Sequence, residues 1–182
     1  YKLKTSELLP IVYPECSRFN SLSNVFESSV LGYFYVQKGT SGADFSIGYF
    51  QMKPSFIEKL DVIIQQDVSF SKQKNRFRYK SSHVQDVRNE RLDRLREEDW
   101  QIEYLCCFVK LMKKRFQQEN IQTRELAFIA SAYNLGFHRS TKDILAWEHV
   151  RAFPNGKMHE STNFSYAELA LHFKSKFYSH EN

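Results

Sequence analysis

Glu15 has Tyr13 and Pro14 on one side and Phe19 on the other, so its carboxyl group is set among apolar and aromatic neighbours. Such surroundings disfavour the carboxylate and raise its pKa, as an acid must if it is to keep a proton near neutral pH and pass it to a leaving oxygen. Cleavage of a glycosidic bond is a reaction that needs such an acid. Two other groups of residues have types suited to holding a sugar. Ser46, Gly48 and Gln51 lie in the apolar stretch Phe45–Met52, where glycine lets the backbone approach a ring and glutamine offers both a donor and an acceptor. Tyr133 and Asn134 stand just before Gly136, where the tyrosine hydroxyl could reach the acid or the sugar and the asparagine could tie a helix end to the neighbouring loop.

Two more carboxylates compete for roles in such chemistry. Glu27, in Phe26-Glu27-Ser28-Ser29, lies nearer to Gln51 in the chain and is the rival acid. With Asn24 as a helix cap it would occupy the third helical position, reach back to the cap, and be held ionised by the helix dipole. Asp44 is the candidate second carboxylate, which an inverting hydrolase places roughly 6.5–9.5 Å from the acid to activate water. Its type also suits a turn after Gly42-Ala43. The three cysteines, Cys16, Cys106 and Cys107, have no metal-type spacing and read as small apolar fillers. No pair of the six histidines is spaced four apart, so no metal site is expected, and no glycine loop suggests a nucleotide cofactor.

The elements that must position these residues are mainly helical. Residues 5–17 read as a helix interrupted by Pro10 and Pro14, and a second runs from Asn24 to about Lys38, closed by Gly39. Residues 39–44 form a turn, 45–52 an extended or looped segment, and Pro54 starts a helix that turns Phe56, Leu60, Ile63 and Ile64 inward. The stretch 69–99, rich in charge and poor in core residues, reads as an insertion wrapped over the domain. Leu105, Phe108, Val109, Met112 and Phe116 mark a central helix over 100–119. Thr123 is expected to cap the next helix, which Gly136 ends, and a Ser165–Glu168 capping box opens a last helix burying Leu169, Ala170, Phe173 and Phe177.

Three segments in order resemble those of lytic transglycosylases with the lysozyme-like fold. Glu15-Cys16-Ser17-Arg18-Phe19-Asn20 is similar to their Glu-Ser-x-Phe-Asn segment at the catalytic acid. Phe45-Ser46-Ile47-Gly48-Tyr49-Phe50-Gln51-Met52-Lys53-Pro54 resembles their Gly-Leu-Met-Gln-x-x-Pro segment, and Ala132-Tyr133-Asn134-Leu135-Gly136 matches their Ala-Tyr-Asn-x-Gly segment. The resemblance implies a mainly α, lysozyme-like single domain over 1–182 with a short extended segment lining a cleft. It implies cleavage of the β-1,4 bond between N-acetylmuramic acid and N-acetylglucosamine in peptidoglycan. Glu15 would act as general acid and then as base toward the sugar's own C6 hydroxyl, giving 1,6-anhydro products. Ser46, Gly48, Gln51, Tyr133 and Asn134 would hold substrate. The pattern departs from the family in Tyr49-Phe50, in Pro14 before the acid, and in the helix between Glu15 and Gln51. A hydrolytic lysozyme assisted by Asp44 and a non-catalytic peptidoglycan-binding module remain alternatives.

Length and composition agree with one packed domain: 182 residues, 42% hydrophobic, with no run of about 20 apolar residues to cross a bilayer. A monomer working outside the cytoplasm, periplasmic or secreted, is expected, with a leader removed upstream of Tyr1. The formal charge of +5 is concentrated at Lys72, Lys74, Arg76, Arg78 and Lys80, where an anionic polymer could bind. Phe77 and Tyr79, interleaved with these, would supply stacking if that polymer were a nucleic acid.

Overall fold

The structure, a computed structural model, describes residues 2–18, 21–156 and 163–180, with side chains throughout except over 21–29. Among these residues the protein is mainly helical, as expected: Thr5–Cys16 (α1), Ser21–Lys38 (α2), Pro54–Gln66 (α3), Val84–Arg96 (α4), Glu98–Gln118 (α5), Glu125–Leu135 (α6), Thr141–Trp147 (α7) and Tyr166–Phe177 (α8). Arg151–Phe153 (β1) and Phe164–Ser165 (β2) pair antiparallel. None of the described helices is long and apolar enough to cross a membrane. The chain divides into two compact units, one made of 18–107 and the other of 1–17 with 108–182.

In the unit of 18–107, Pro54 opens α3 at the first-turn position, where its missing N–H costs nothing. Ile57, Leu60 and Ile64 follow at spacings of three and four and are fully buried, whereas Phe56 and Ile63 are only half-buried. The segment 69–99 is not an excursion over the surface. It contributes Phe70, Phe77, Leu92 and Leu95, none more than 3% exposed, to the core.

The same segment buries two arginines. Arg91 donates to the Tyr35 hydroxyl at 2.6 Å and to Glu58 and Asp61 at 3.3 Å. Arg94 donates to the carbonyls of Phe77 and Arg78 and to Glu90. Tyr79 lies against both guanidinium groups and donates its hydroxyl to Asp61. A buried charge is tolerated only when paired and hydrogen-bonded, and each arginine of the ring has a carboxylate partner, Glu58 and Asp61 for Arg91 and Glu90 for Arg94.

The basic run in this segment is built of turns. Phe77 is packed edge-on against Trp100 and Tyr104, so neither it nor Tyr79 is a stacking platform for bases. Arg76 is 3.0 Å from Glu103 and lies over Trp100, while Lys72, Arg78 and Lys80 are exposed.

In the unit of 1–17 and 108–182, α1, α6 and α8 pack on one another. Ala127 through Tyr133 are all buried, which makes α6 a helix enclosed on every side. The Ser165 hydroxyl accepts the Glu168 N–H at 3.2 Å, capping α8 as its sequence implies. Phe177, expected in the core, is 58% exposed. Thr123 does not cap α6. That position is Arg124, and the Thr123 hydroxyl instead donates to Glu148 at 3.1 Å.

Candidate active site

Glu15 occupies the last turn of α1 and is half-buried. The helix continues through Pro10 and Pro14, and its backbone is anchored one turn earlier, where the Tyr166 hydroxyl donates to the Ile11 carbonyl at 2.9 Å. Tyr133, in the last turn of α6, is 9% exposed, with its ring edge-on to Phe108 and tilted against Tyr166. The hydroxyls of Tyr133 and Tyr166 are held well above the usual tyrosine range, first by burial and then by the negative charge of Glu15. The fold therefore brings Glu15, Tyr133 and Tyr166 into one neighbourhood. Tyr166 escapes sequence reasoning, because the capping box marks where α8 begins and says nothing of where its first side chain points. Phe19, the other expected neighbour of the acid, lies outside the described residues.

Asn134 fills the tying role anticipated for it. Its side-chain oxygen accepts the Trp147 indole N–H at 2.9 Å, joining α6 to α7. Gly136 then leaves the helix at φ +114°, a conformation that favours glycine. The loop beyond is clamped by Arg115, which donates to the carbonyls of Phe137 and Arg139 and to the Thr141 hydroxyl. Cys16 beside the acid is a neutral thiol: burial pushes it up to about 11, which removes the thiolate a nucleophile requires.

Within the other unit, Ile47 and Met52 pair across a tight hairpin whose tip is Gly48 to Gln51. Gly48 has φ +71° and Gln51, unusually for a non-glycine residue, φ +52°. The Gln51 side-chain amide donates back to the Gly48 carbonyl at 2.8 Å, so it closes its own turn. Beneath the hairpin lies Gln101, 1% exposed, which accepts the Phe50 N–H at 2.9 Å and donates to the Leu95 carbonyl at 2.8 Å. A Cβ on Gly48 would overlap the Gln101 amide, coming within 2.6 Å of its Cδ. Gln101 is thus a positioning residue for the hairpin, and no sequence pattern marks it. Ser46 is half-buried on the irregular segment entering the turn.

Asp44 is exposed, and both of its carboxylate oxygens are engaged by Ser55, one by the N–H at 2.9 Å and one by the hydroxyl at 2.7 Å. It caps the start of α3. Glu27 lies within α2, which begins at Ser21, so it is not at the third helical position and the capping argument for an ionised Glu27 does not hold. The side chains of Glu27 and Asn24 lie outside the described residues. Among the described residues no group of three or more His, Cys, Asp or Glu side chains could hold a metal ion. No family model matches the chain, and neither a curated protein nor a solved structure does.

Proposed function

We propose that the protein is a lytic transglycosylase of the lysozyme-like type that cleaves the β-1,4 bond of peptidoglycan between N-acetylmuramic acid and N-acetylglucosamine, with Glu15 as its acid. The observation that carries this reading is that Glu15 lies near enough to buried Tyr133 for its charge to act on the tyrosine hydroxyl. These residues come from two of the three segments that resemble the family, 118 positions apart by number (133 − 15), yet they share one neighbourhood. The surroundings suit an acid that must hold a proton. A helix C-terminus disfavours negative charge, and so does burial beside aromatic rings.

In this mechanism Glu15 protonates the leaving oxygen and then, as carboxylate, accepts the proton of the C6 hydroxyl, so that the sugar closes on itself without water. Ser46, Gly48, Gln51, Tyr133 and Asn134 are the substrate-holding set. Gln51 and Asn134 also fix backbone shape, since the Gln51 amide N–H is engaged with Gly48 and the Asn134 side-chain oxygen with Trp147. The engagement of Asp44 by Ser55 favours the single-acid route over hydrolysis through a second carboxylate. The reading places the protein at the cell wall, periplasmic or secreted, and requires no cofactor.

The test is digestion of purified peptidoglycan with mass spectrometry of the released fragments. Wild type should release fragments lighter by one water, and Glu15→Gln should lower the rate by about 10²–10⁴-fold, the usual share of a general acid. Hydrated reducing ends would make the protein a lysozyme and bring Asp44 forward. Full activity in Glu15→Gln with loss in Glu27→Gln would move the acid to Glu27. No release by wild type would favour a binding module.

A further inference from the structure

In the unit of 18–107, the chain from Asp67 to Arg78 winds in consecutive tight turns, the Phe70 carbonyl accepting from Gln73 and Lys74 and the Gln73 carbonyl from Phe77. Phe70 and Phe77 are buried on the inner side of these turns. Arg94 fixes their outgoing end by donating to the carbonyls of Phe77 and Arg78 at 3.2 and 2.7 Å. The Gln65 amide donates to the Lys74 carbonyl at 3.2 Å and ties the turns to the end of α3. Left on the outside are Val68, Lys72, Asn75, Arg76 and Arg78, all exposed.

Between Ser69 and Ser82 the sequence carries Lys72, Lys74, Arg76, Arg78 and Lys80 and no acid. Carboxylates from the packed helices answer two of these cations. Glu103 of α5 pairs with Arg76 at 3.0 Å, and Glu90 of α4, already paired with Arg94, accepts the Lys80 N–H at 2.9 Å. Asp67, where the turns begin, accepts the Ser69 N–H at 2.8 Å. Lys72, Lys74 and Arg78 make no ion pair among the described residues. Beside them Val68 is 81% exposed, more than any other large hydrophobic side chain among the described residues, and Val62, one turn before Gln66 on the outer side of α3, is 52% exposed.

We propose that this surface lies against a lipid bilayer bearing anionic headgroups, with Lys72, Lys74 and Arg78 on the phosphates and Val68 and Val62 at the boundary between headgroups and acyl chains. The pairing of unanswered cations with exposed aliphatic side chains selects lipid over a soluble polyanion. A single-stranded nucleic acid needs open aromatic faces for its bases, whereas Phe77 is packed on Trp100 and Tyr104, and Tyr79 lies against the guanidinium groups of Arg91 and Arg94. Any polyanion in water would use the cations and leave Val68 solvated. The backbone beneath is already fixed by Arg94 and Gln65, so docking orders little besides the lysine and arginine side chains. None of these residues belongs to the set proposed for glycan cleavage, so the surface stands whether or not Glu15 is catalytic.

The experiment is co-sedimentation of the whole chain with vesicles of phosphatidylglycerol and phosphatidylcholine, and with vesicles of phosphatidylcholine alone, at low and high salt. The mixed vesicles should bind the protein at low salt and release it at high salt, and the neutral ones should not retain it. Lys72→Gln/Lys74→Gln/Arg78→Gln should weaken binding about a hundredfold, the share of three cations near an anionic surface. Val68→Ser, which changes no charge, should weaken it about fivefold. Arg139→Gln/Lys142→Gln/Lys176→Gln removes as much charge from exposed positions of the other unit and should stay within about threefold of wild type. Urea transitions confirm that each variant keeps its fold. No binding to mixed vesicles, equal binding to neutral ones, undiminished binding in the first triple variant, or an equal loss in both triple variants would overturn the proposal. So would a Val68→Ser variant that binds as wild type while an oligonucleotide displaces the vesicles, which would make the partner a soluble polyanion.

Discussion

Replacing Gly48 by alanine should destabilise the protein by an amount that can be worked out from its surroundings. Holding a non-glycine residue at φ +71° costs about 1–2 kcal/mol. The new Cβ also overlaps the Gln101 amide, which is buried and engaged at both ends, so Gln101 must swing away. That strands the Leu95 carbonyl and the Phe50 N–H, at about 1–3 kcal/mol for a buried group left without a partner. Allowing for partial relaxation, the total is about 3–5 kcal/mol. Urea denaturation of wild type, Gly48→Ala, Gln101→Ala and the double variant measures it. In the Gln101→Ala background the alanine should cost only its backbone share, giving a coupling of about 2–3 kcal/mol. A Gly48→Ala loss of no more than about 1 kcal/mol, or zero coupling, would refute the account of the hairpin as a turn locked by one buried glutamine.

Other perturbations test different parts of the molecule. Tyr133→Phe keeps the ring against Phe108 and should leave stability within about 1 kcal/mol of wild type while lowering peptidoglycan cleavage at least about tenfold if the hydroxyl beside Glu15 acts in the reaction; unchanged cleavage assigns Tyr133 to packing alone. Asp44→Ala should cost about 1 kcal/mol through loss of the cap on α3 and leave the cleavage rate and product mass unaltered, and abolished turnover would instead make Asp44 the second carboxylate. Asp61→Ala leaves Arg91 and Tyr79 short of a buried partner and should cost about 3–5 kcal/mol by chemical denaturation. The folded pKa of Glu7 lies below its unfolded value, so its stabilisation is complete above about 4.5 and is lost as pH falls through the folded value; melting temperature should drop across that window, and less so in Glu7→Gln. Asp61 has the opposite sign, since burial raises its pKa, so its ionisation cannot be what acid takes away.

Helices announced by apolar spacing or by punctuation were readable. Pro54, Gly136 and the Ser165–Glu168 box mark element ends within a residue, because each acts through local backbone geometry. The segment 69–99 misled because its core is held together by buried Arg91 and Arg94, and composition counts every arginine as surface. The short helix α7 and the pairing of β1 with β2 were too brief to show a period. Of the candidate site, Glu15 and Tyr133 were found because each stands in a recognisable segment. Gln101 and Tyr166 were not, since their roles depend on which backbone atoms the fold carries to them. The Asn24 cap for Glu27 failed because α2 starts three residues sooner, at Ser21.

The unit that carries Glu15 is written in two pieces, and that has a bearing on the order in which the protein can assemble. The stretch 18–107 is contiguous and can begin to fold once it has left the ribosome, whereas α1, made before it, has to wait for α6 and α8. The bond from Tyr166 to Ile11 closes a separation of 155 positions, so it carries a large loop-closure entropy and can form only once α8 has been made. Interrupting translation before α8 would leave the proposed acid on a helix that has α6 to pack on but lacks the bond from Tyr166, beside a finished 18–107 unit.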